Sequence, residues 1–130
     1  MKIIGDSLVP FEEFFIISSV EDIKNTASNS LLFFDFDEEL LKYCKKQNLN
    51  FFVSIKTIKE GIYANSFNAK YAVCTQDLAK KMQKIADNYM FDTKILALID
   101  TSDELEDIAN EEIDGAIYSE VLKDKNWKRY

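Results

Sequence analysis

The sequence predicts a single α/β domain built on a mostly parallel sheet, and three observations predict it. First, short apolar runs recur without polar alternation, at Phe14–Ile17, Leu31–Phe34, Phe51–Ile55, Tyr71–Cys74, Ile95–Ile99 and Ala116–Tyr118. Strands covered on both faces read this way, as those of parallel sheets are. Second, the stretches between them carry helical spacing, with one apolar stripe opposite a charged face. Third, the runs begin near residues 14, 31, 51, 71, 95 and 115, so each unit is 17 to 24 residues long. That length suits a short helix and a right-handed return to a parallel strand.

Taken in order, Met1–Ile4 offers a short strand ahead of Pro10, and Phe14–Ile17 a second. Ser19 then stands as a helix N-cap, because its hydroxyl can accept one of the unpaired N–H groups of a first turn. Asp37, Thr57, Thr75, and Thr101 or Ser102 hold the same place after the later strands. Thr57 with Glu60, and Thr101 with Glu104, have capping-box spacing. The stripes are Leu40, Leu41 and Cys44; Leu78, Met82, Ile85 and Tyr89; and Leu105, Ile108 and Ala109. Asn68 and Asp114-Gly115 sit where a helix must turn back into a strand, and these residue types tolerate left-handed backbone angles. The string as a whole predicts a three-layer domain with about five to six strands, Rossmann-like or flavodoxin-like. The alternative is a half (βα) barrel. Asn-Ala-Lys-Tyr-Ala-Val from Asn68 and Asp-Gly-Ala-Ile-Tyr from Asp114 resemble units of phosphate-handling or class I aldolase barrels. A full barrel takes about 250 residues, so a half-barrel of this length would have to dimerise or curl shut.

One domain is expected over residues 1–130, with a basic tail over 120–130 that carries Trp127. Trp127 either docks on the domain or anchors a partner. The 47% apolar content is enough for a core, and the 30% charged content covers it. No apolar run approaches the roughly 20 residues of a membrane span, and none marks a secretory signal. Cys44 and Cys74 are far apart in sequence, so reduced thiols and a cytoplasmic location are expected. The net charge of −7 opposes nucleic acid and anionic lipid; a protein partner or self-association is the expected kind of contact.

The residues that are missing narrow the chemistry. There is no histidine, which excludes His bases, His ligands and His-activated nucleophiles. Gly5, Gly61 and Gly115 are too dispersed for a phosphate-cradling loop. Arg129 is the only arginine, so a guanidinium clamp is not expected.

Candidate chemistry therefore falls on the carboxyl ends of the strands, where α/β folds place ligands. Leu31-Leu32-Phe33-Phe34-Asp35-Phe36-Asp37 is an apolar strand ending in Asp-x-Asp. It resembles the first motif of haloacid-dehalogenase-type phosphatases. The resemblance implies Asp35 as nucleophile, Asp37 as general acid/base and Mg²⁺ as cofactor, a hard cation suited to oxygen ligands. Val73-Cys74-Thr75 is similar to that family's strand ending in Thr or Ser, and Ile95–Asp100 with Asp103 and Glu104 to its final acidic motif, which would make Asp100 the third metal ligand. The chain departs from the pattern at Glu39, where the family has Thr or Val, and lacks a Gly before Asp100. Lys80, Lys81, Lys84 and Lys94 compete for the family's phosphate-binding lysine. Lys56 closes the strand Phe51–Ile55, where class I aldolases can place a Schiff-base lysine. Asp35 and Asp37 also resemble the acidic pair of receiver domains, yet Cys74-Thr75 stands where a phospho-acceptor Asp would be. The capping role accounts for Ser19, Asp37, Thr57, Thr75 and Thr101 without any ligand. The reading expected from the sequence is a binding or regulatory module without catalytic apparatus. The alternative is a Mg²⁺-dependent phosphatase or phosphotransferase using Asp35, Asp37 and Asp100.

Overall fold

The computed structural model describes residues 1–123. The tail's Trp127 lies outside these residues. The elements are β1 (Lys2–Ile4), β2 (Phe14–Ile16), α1 (Val20–Lys24), β3 (Leu31–Asp35), α2 (Glu38–Lys46), β4 (Phe51–Ser54), α3 (Ile58–Ser66), β5 (Tyr71–Cys74), α4 (Gln76–Asn88), β6 (Lys94–Ile99), α5 (Leu105–Asn110), β7 (Gly115–Tyr118) and α6 (Glu120–Lys123). A 3₁₀ turn over Ser102–Glu104 leads into α5. No helix among these residues is long and apolar enough to cross a membrane.

All strand pairs are parallel, in one seven-stranded sheet of order β1-β7-β6-β5-β4-β3-β2. From β2 to β7 each strand is laid beside the one before it, with no reversal. Right-handed crossovers that always step the same way put every connecting helix on the same face. The packing follows. Ile23, Leu41, Cys44, Ala64, Met82 and Ile108, from α1 to α5, join one buried cluster with the outward residues of the strands. The opposite face has its own cluster, with Ile4, Phe14, Phe33, Phe52, Tyr71 and Leu96 all buried. The sheet is therefore α/β and parallel as expected, and it curls as the half-barrel alternative requires. Its concave face is filled by its own aromatics: Phe14 meets Phe52 edge-on at 5.0 Å, and Phe52 meets Tyr71 at 5.5 Å. Such pairs add about 0.5–1.5 kcal/mol each beyond the area they bury. The concave core needs no second copy to cover it.

β1 and β2 are the sheet's edges, and both are parallel to their neighbours, so the chain between them must run back along the molecule. This return strap, Gly5–Glu13, is pinned at several points. Gly5 leaves β1 with φ 96°, a left-handed angle natural to glycine. The Asp6 carboxylate accepts the Tyr118 hydroxyl at 2.6 Å and the Leu8 N–H at 2.7 Å. Phe11 packs on the concave cluster, and the Glu12 carboxylate pairs with Lys70 at 2.8 Å.

Local signals behave largely as expected, with two shifts. Ser19, Asp37, Thr57 and Thr75 cap α1 to α4 through N–H groups of Asp22, Leu40, Glu60 and Leu78. Asn68 is left-handed, φ 69°. Before β7, however, Glu112 takes the left-handed angle, φ 58°, rather than Asp114 or Gly115. In α4 the buried face is Ala79, Met82, Gln83 and Ala86, while Tyr89 is exposed. The alanines let the helix lie close on the sheet, and this rotates Leu78 and Ile85 to half-buried flanks.

Candidate functional site

The carboxyl ends of the strands gather the acidic residues that the sequence singled out, and nearly every one is tied to its own backbone or to a hydroxyl. Asp35 Oδ1 accepts the Ser54 hydroxyl at 2.6 Å across the β3–β4 register. Asp100 Oδ1 accepts the Ser119 hydroxyl at 2.5 Å. These pairs are alike: each joins adjacent strands one step beyond or at their last paired residues. Asp37 spends Oδ1 on the Leu40 N–H at 3.0 Å.

A second pattern recurs three times along this edge. A carboxylate in the first helical turn reaches back to the N–H that leaves the strand. Asp22 takes the Ser18 N–H at 2.9 Å, Glu60 takes that of Lys56 at 2.8 Å, and Glu104 takes those of Asp100 and Thr101 at 2.6 and 2.9 Å. Glu60 thus reaches Lys56, one residue before Thr57. Hydrogen bonds to the ionised form hold the carboxyls of Asp22 and Glu104 below their ordinary values, through Ser18 in one case and Thr101, Asp100 and Gln76 in the other. The acidic edge is in this respect a set of helix-start devices.

Asp35, Asp37 and Asp100 are exposed and separately engaged. Among the described residues no group of three acidic or thiol side chains is placed to hold a metal ion. Lys56 is exposed, beside the equally exposed Lys59. Cys44 and Cys74 are free and buried, and burial pushes their thiols up to about 11 and about 12. They are protonated at neutral pH and serve as small apolar side chains.

A larger opening lies at the other end of the sheet. A cavity of about 970 Å³ is lined by Lys2, Lys70, Tyr71, Lys94, Asp114 and neighbouring loop residues. The cleft beside Phe36, Thr57 and Tyr63 near the carboxyl edge is about 390 Å³. Strand alternation fixes which way the cavity lysines leave the sheet. Ile4 and Leu96 belong to the concave cluster, so Lys2 and Lys94, two residues earlier, leave from the concave face. Both flank the mouth over buried Tyr71, and neither has a carboxylate within ion-pair distance among the described residues. Lys70 stands 5.6 Å over the Tyr71 ring and is held by Glu12, whose hydrogen bond raises its pKa.

Polar groups that the sequence did not flag shape this mouth. Gln83, buried in α4, accepts the Asp114 N–H at 2.8 Å through Oε1 and donates to Asp87 through Nε2. The Asp114 carboxylate accepts the Ile95 N–H at 2.9 Å. Thr93 is buried; its hydroxyl donates to the Ala69 carbonyl at 2.6 Å and its N–H donates to Asn65 Oδ1 at 3.2 Å. No described buried side-chain polar atom is left without a partner. Asp114 is thereby committed to backbone, while Asp92 and Glu112 line the cavity as exposed carboxylates. Neither the meeting of Lys2 with Lys94 nor the pairing of β1 with β7 that closes the mouth was readable in the sequence, because both depend on strand order.

The sequence matches no family model and no curated protein.

Proposed function

We propose that the chain is a non-catalytic binding module that takes a small organic anion, bearing phosphate or carboxylate groups, at the amino-terminal mouth of its curled sheet. One observation carries the reading: Lys2 and Lys94 leave the concave face without an ion-pair partner among the described residues, beside a cavity of about 970 Å³. A cavity of that size suits a drug-sized ligand. Ammonium groups at its mouth favour negative charge, and Tyr71 supplies an apolar floor. The exposed Asp92 and Glu112 line the same cavity. At the opposite edge the carboxylates already satisfy backbone and hydroxyl donors, which leaves them structural work.

Calorimetric titration with inorganic phosphate and with citrate tests this. The expected result is saturable binding, weakened several-fold in Lys94→Ala and in Lys2→Ala. An exposed lysine–anion contact contributes only about 0.2–1 kcal/mol where solvent screens it. Binding that is absent, or identical in wild type and both variants, would overturn the reading.

A further inference from the structure

The strap and the cavity share one residue. Lys70 lines the cavity and is also the anchor for Glu12, at 2.8 Å, with both side chains about half exposed. On the strap, Asp6, Glu12 and Glu13 are the only charged residues, and all are acidic. The Glu12 carboxylate is therefore an anion of the protein's own, already seated on the third lysine of the cavity. Exposed ion pairs of this kind are weak and easily exchanged. Glu12 stands next to Phe11, which packs on the concave cluster, and four residues beyond Leu8, which is 88% exposed.

We propose that an anion bound at Lys2 and Lys94 competes with Glu12 for Lys70, so that filling the cavity unlatches the strap Gly5–Glu13. This rests on the binding reading above. The competition is one of charge and hydrogen bonds only, and no covalent step is involved. Once Glu12 is displaced, the strap keeps its Asp6–Tyr118 anchor and the packing of Phe11, and loses its tie to Lys70 between Phe11 and Phe14. The end of the strap that leads into β2, Glu12 and Glu13, thus becomes responsive to the ligand. An occupied cavity changes a surface elsewhere on the molecule.

Competition has a sign that simple binding lacks. Removing the internal competitor should tighten external anions. Calorimetry with inorganic phosphate and citrate on Glu12→Gln should give an affinity about two- to five-fold above wild type, the range that an exposed ion pair commands. Glu13→Gln removes the same charge from the neighbouring exposed position and should leave affinity unchanged. Lys70→Ala should weaken binding, and adding Glu12→Gln to it should then change nothing. In wild type, phosphate should shift the backbone amide resonances of Glu12 and Glu13 and speed their exchange. If phosphate binds wild type but Glu12→Gln binds no tighter, or no tighter than Glu13→Gln, the latch is refuted and the binding site stands. If no variant binds either anion, the binding reading itself fails and the latch falls with it.

Discussion

A methyl group added at Gly115 should unseat β1. Gly115 opens β7 and pairs with Lys2 of β1 on one side and Leu96 of β6 on the other. A Cβ there would lie 2.8 Å from Leu96 Cδ2 and 2.9 Å from Lys2 Cβ, with the Lys2 carbonyl oxygen closer still. The nearest obstacle is backbone, which cannot swing aside, so the edge strand must move. Overpacking of a tight core costs about 1–3 kcal/mol, and a backbone collision belongs at the top of that range. The gain from replacing a strand glycine is about 0.5–1 kcal/mol. The net loss is then about 2 kcal/mol, which for a domain of this size lowers Tm by roughly 8 °C. Gly61→Ala is the internal control. There the added Cβ would meet the Sδ and Cε of Met82, the far end of a flexible side chain, with Ile55 Cδ1 at 3.1 Å. Gly61 lies inside α3, where alanine is favoured by about 1 kcal/mol. The expected change is within about 1 kcal/mol, because Met82 can repack. Scanning calorimetry of the two variants decides the matter. A Gly115→Ala protein that melts with wild type, or a Gly61→Ala protein that is the more damaged, would refute the close approach of β1 and β7. The same displacement carries Lys2 away from Lys94, so Gly115→Ala should also lose anion affinity.

Two further outcomes follow from the carboxyl edge. Glu104 is held below its ordinary value by bonds that exist only in the folded state, so its contribution to stability is complete above the ordinary glutamate pKa of about 4.3 and is lost as pH falls through the lower folded value. Urea unfolding across that acid range should show a shallower loss of stability in Glu104→Gln than in wild type, from a lower plateau at neutral pH; an unchanged acid limb would remove Glu104 from this role. Millimolar Mg²⁺ should leave the melting of both wild type and Asp35→Asn unmoved, since Asp35, Asp37 and Asp100 are separately engaged. A wild-type rise of several degrees that Asp35→Asn abolishes, as binding at about 100 times Kd would give, would establish a carboxylate–metal site at the carboxyl edge.

Local chemistry made much of the fold legible. Ser19, Asp37, Thr57 and Thr75 cap the helices that they were expected to cap, because a cap is a bond between residues two or three apart and depends on little else. The apolar runs marked strands for the same reason: burial on both faces leaves no room for polar alternation. The candidate site was less legible. Asp35 and Asp100 stood out as strand-end carboxylates, but their partners Ser54 and Ser119 lie a whole helix away and are supplied by strand register. Gln83 was hidden because a buried amide is tolerable only where a partner such as the Asp114 N–H happens to arrive.

The sequence by itself determined that this is an acidic, histidine-free α/β chain whose strands are parallel and whose helices start where they do. These properties follow from composition and short-range spacing, which tertiary packing does not alter. Only the tertiary structure decided that the strands run in unbroken order, that β1 closes beside β7, and that the sheet curls over its own phenylalanines. Strand order depends on which edge each strand joins, and the energies that choose between edges are spread over many contacts distant in sequence. That choice sets Lys2 near Lys94 and brings Glu12 onto Lys70, so it also places the proposed site.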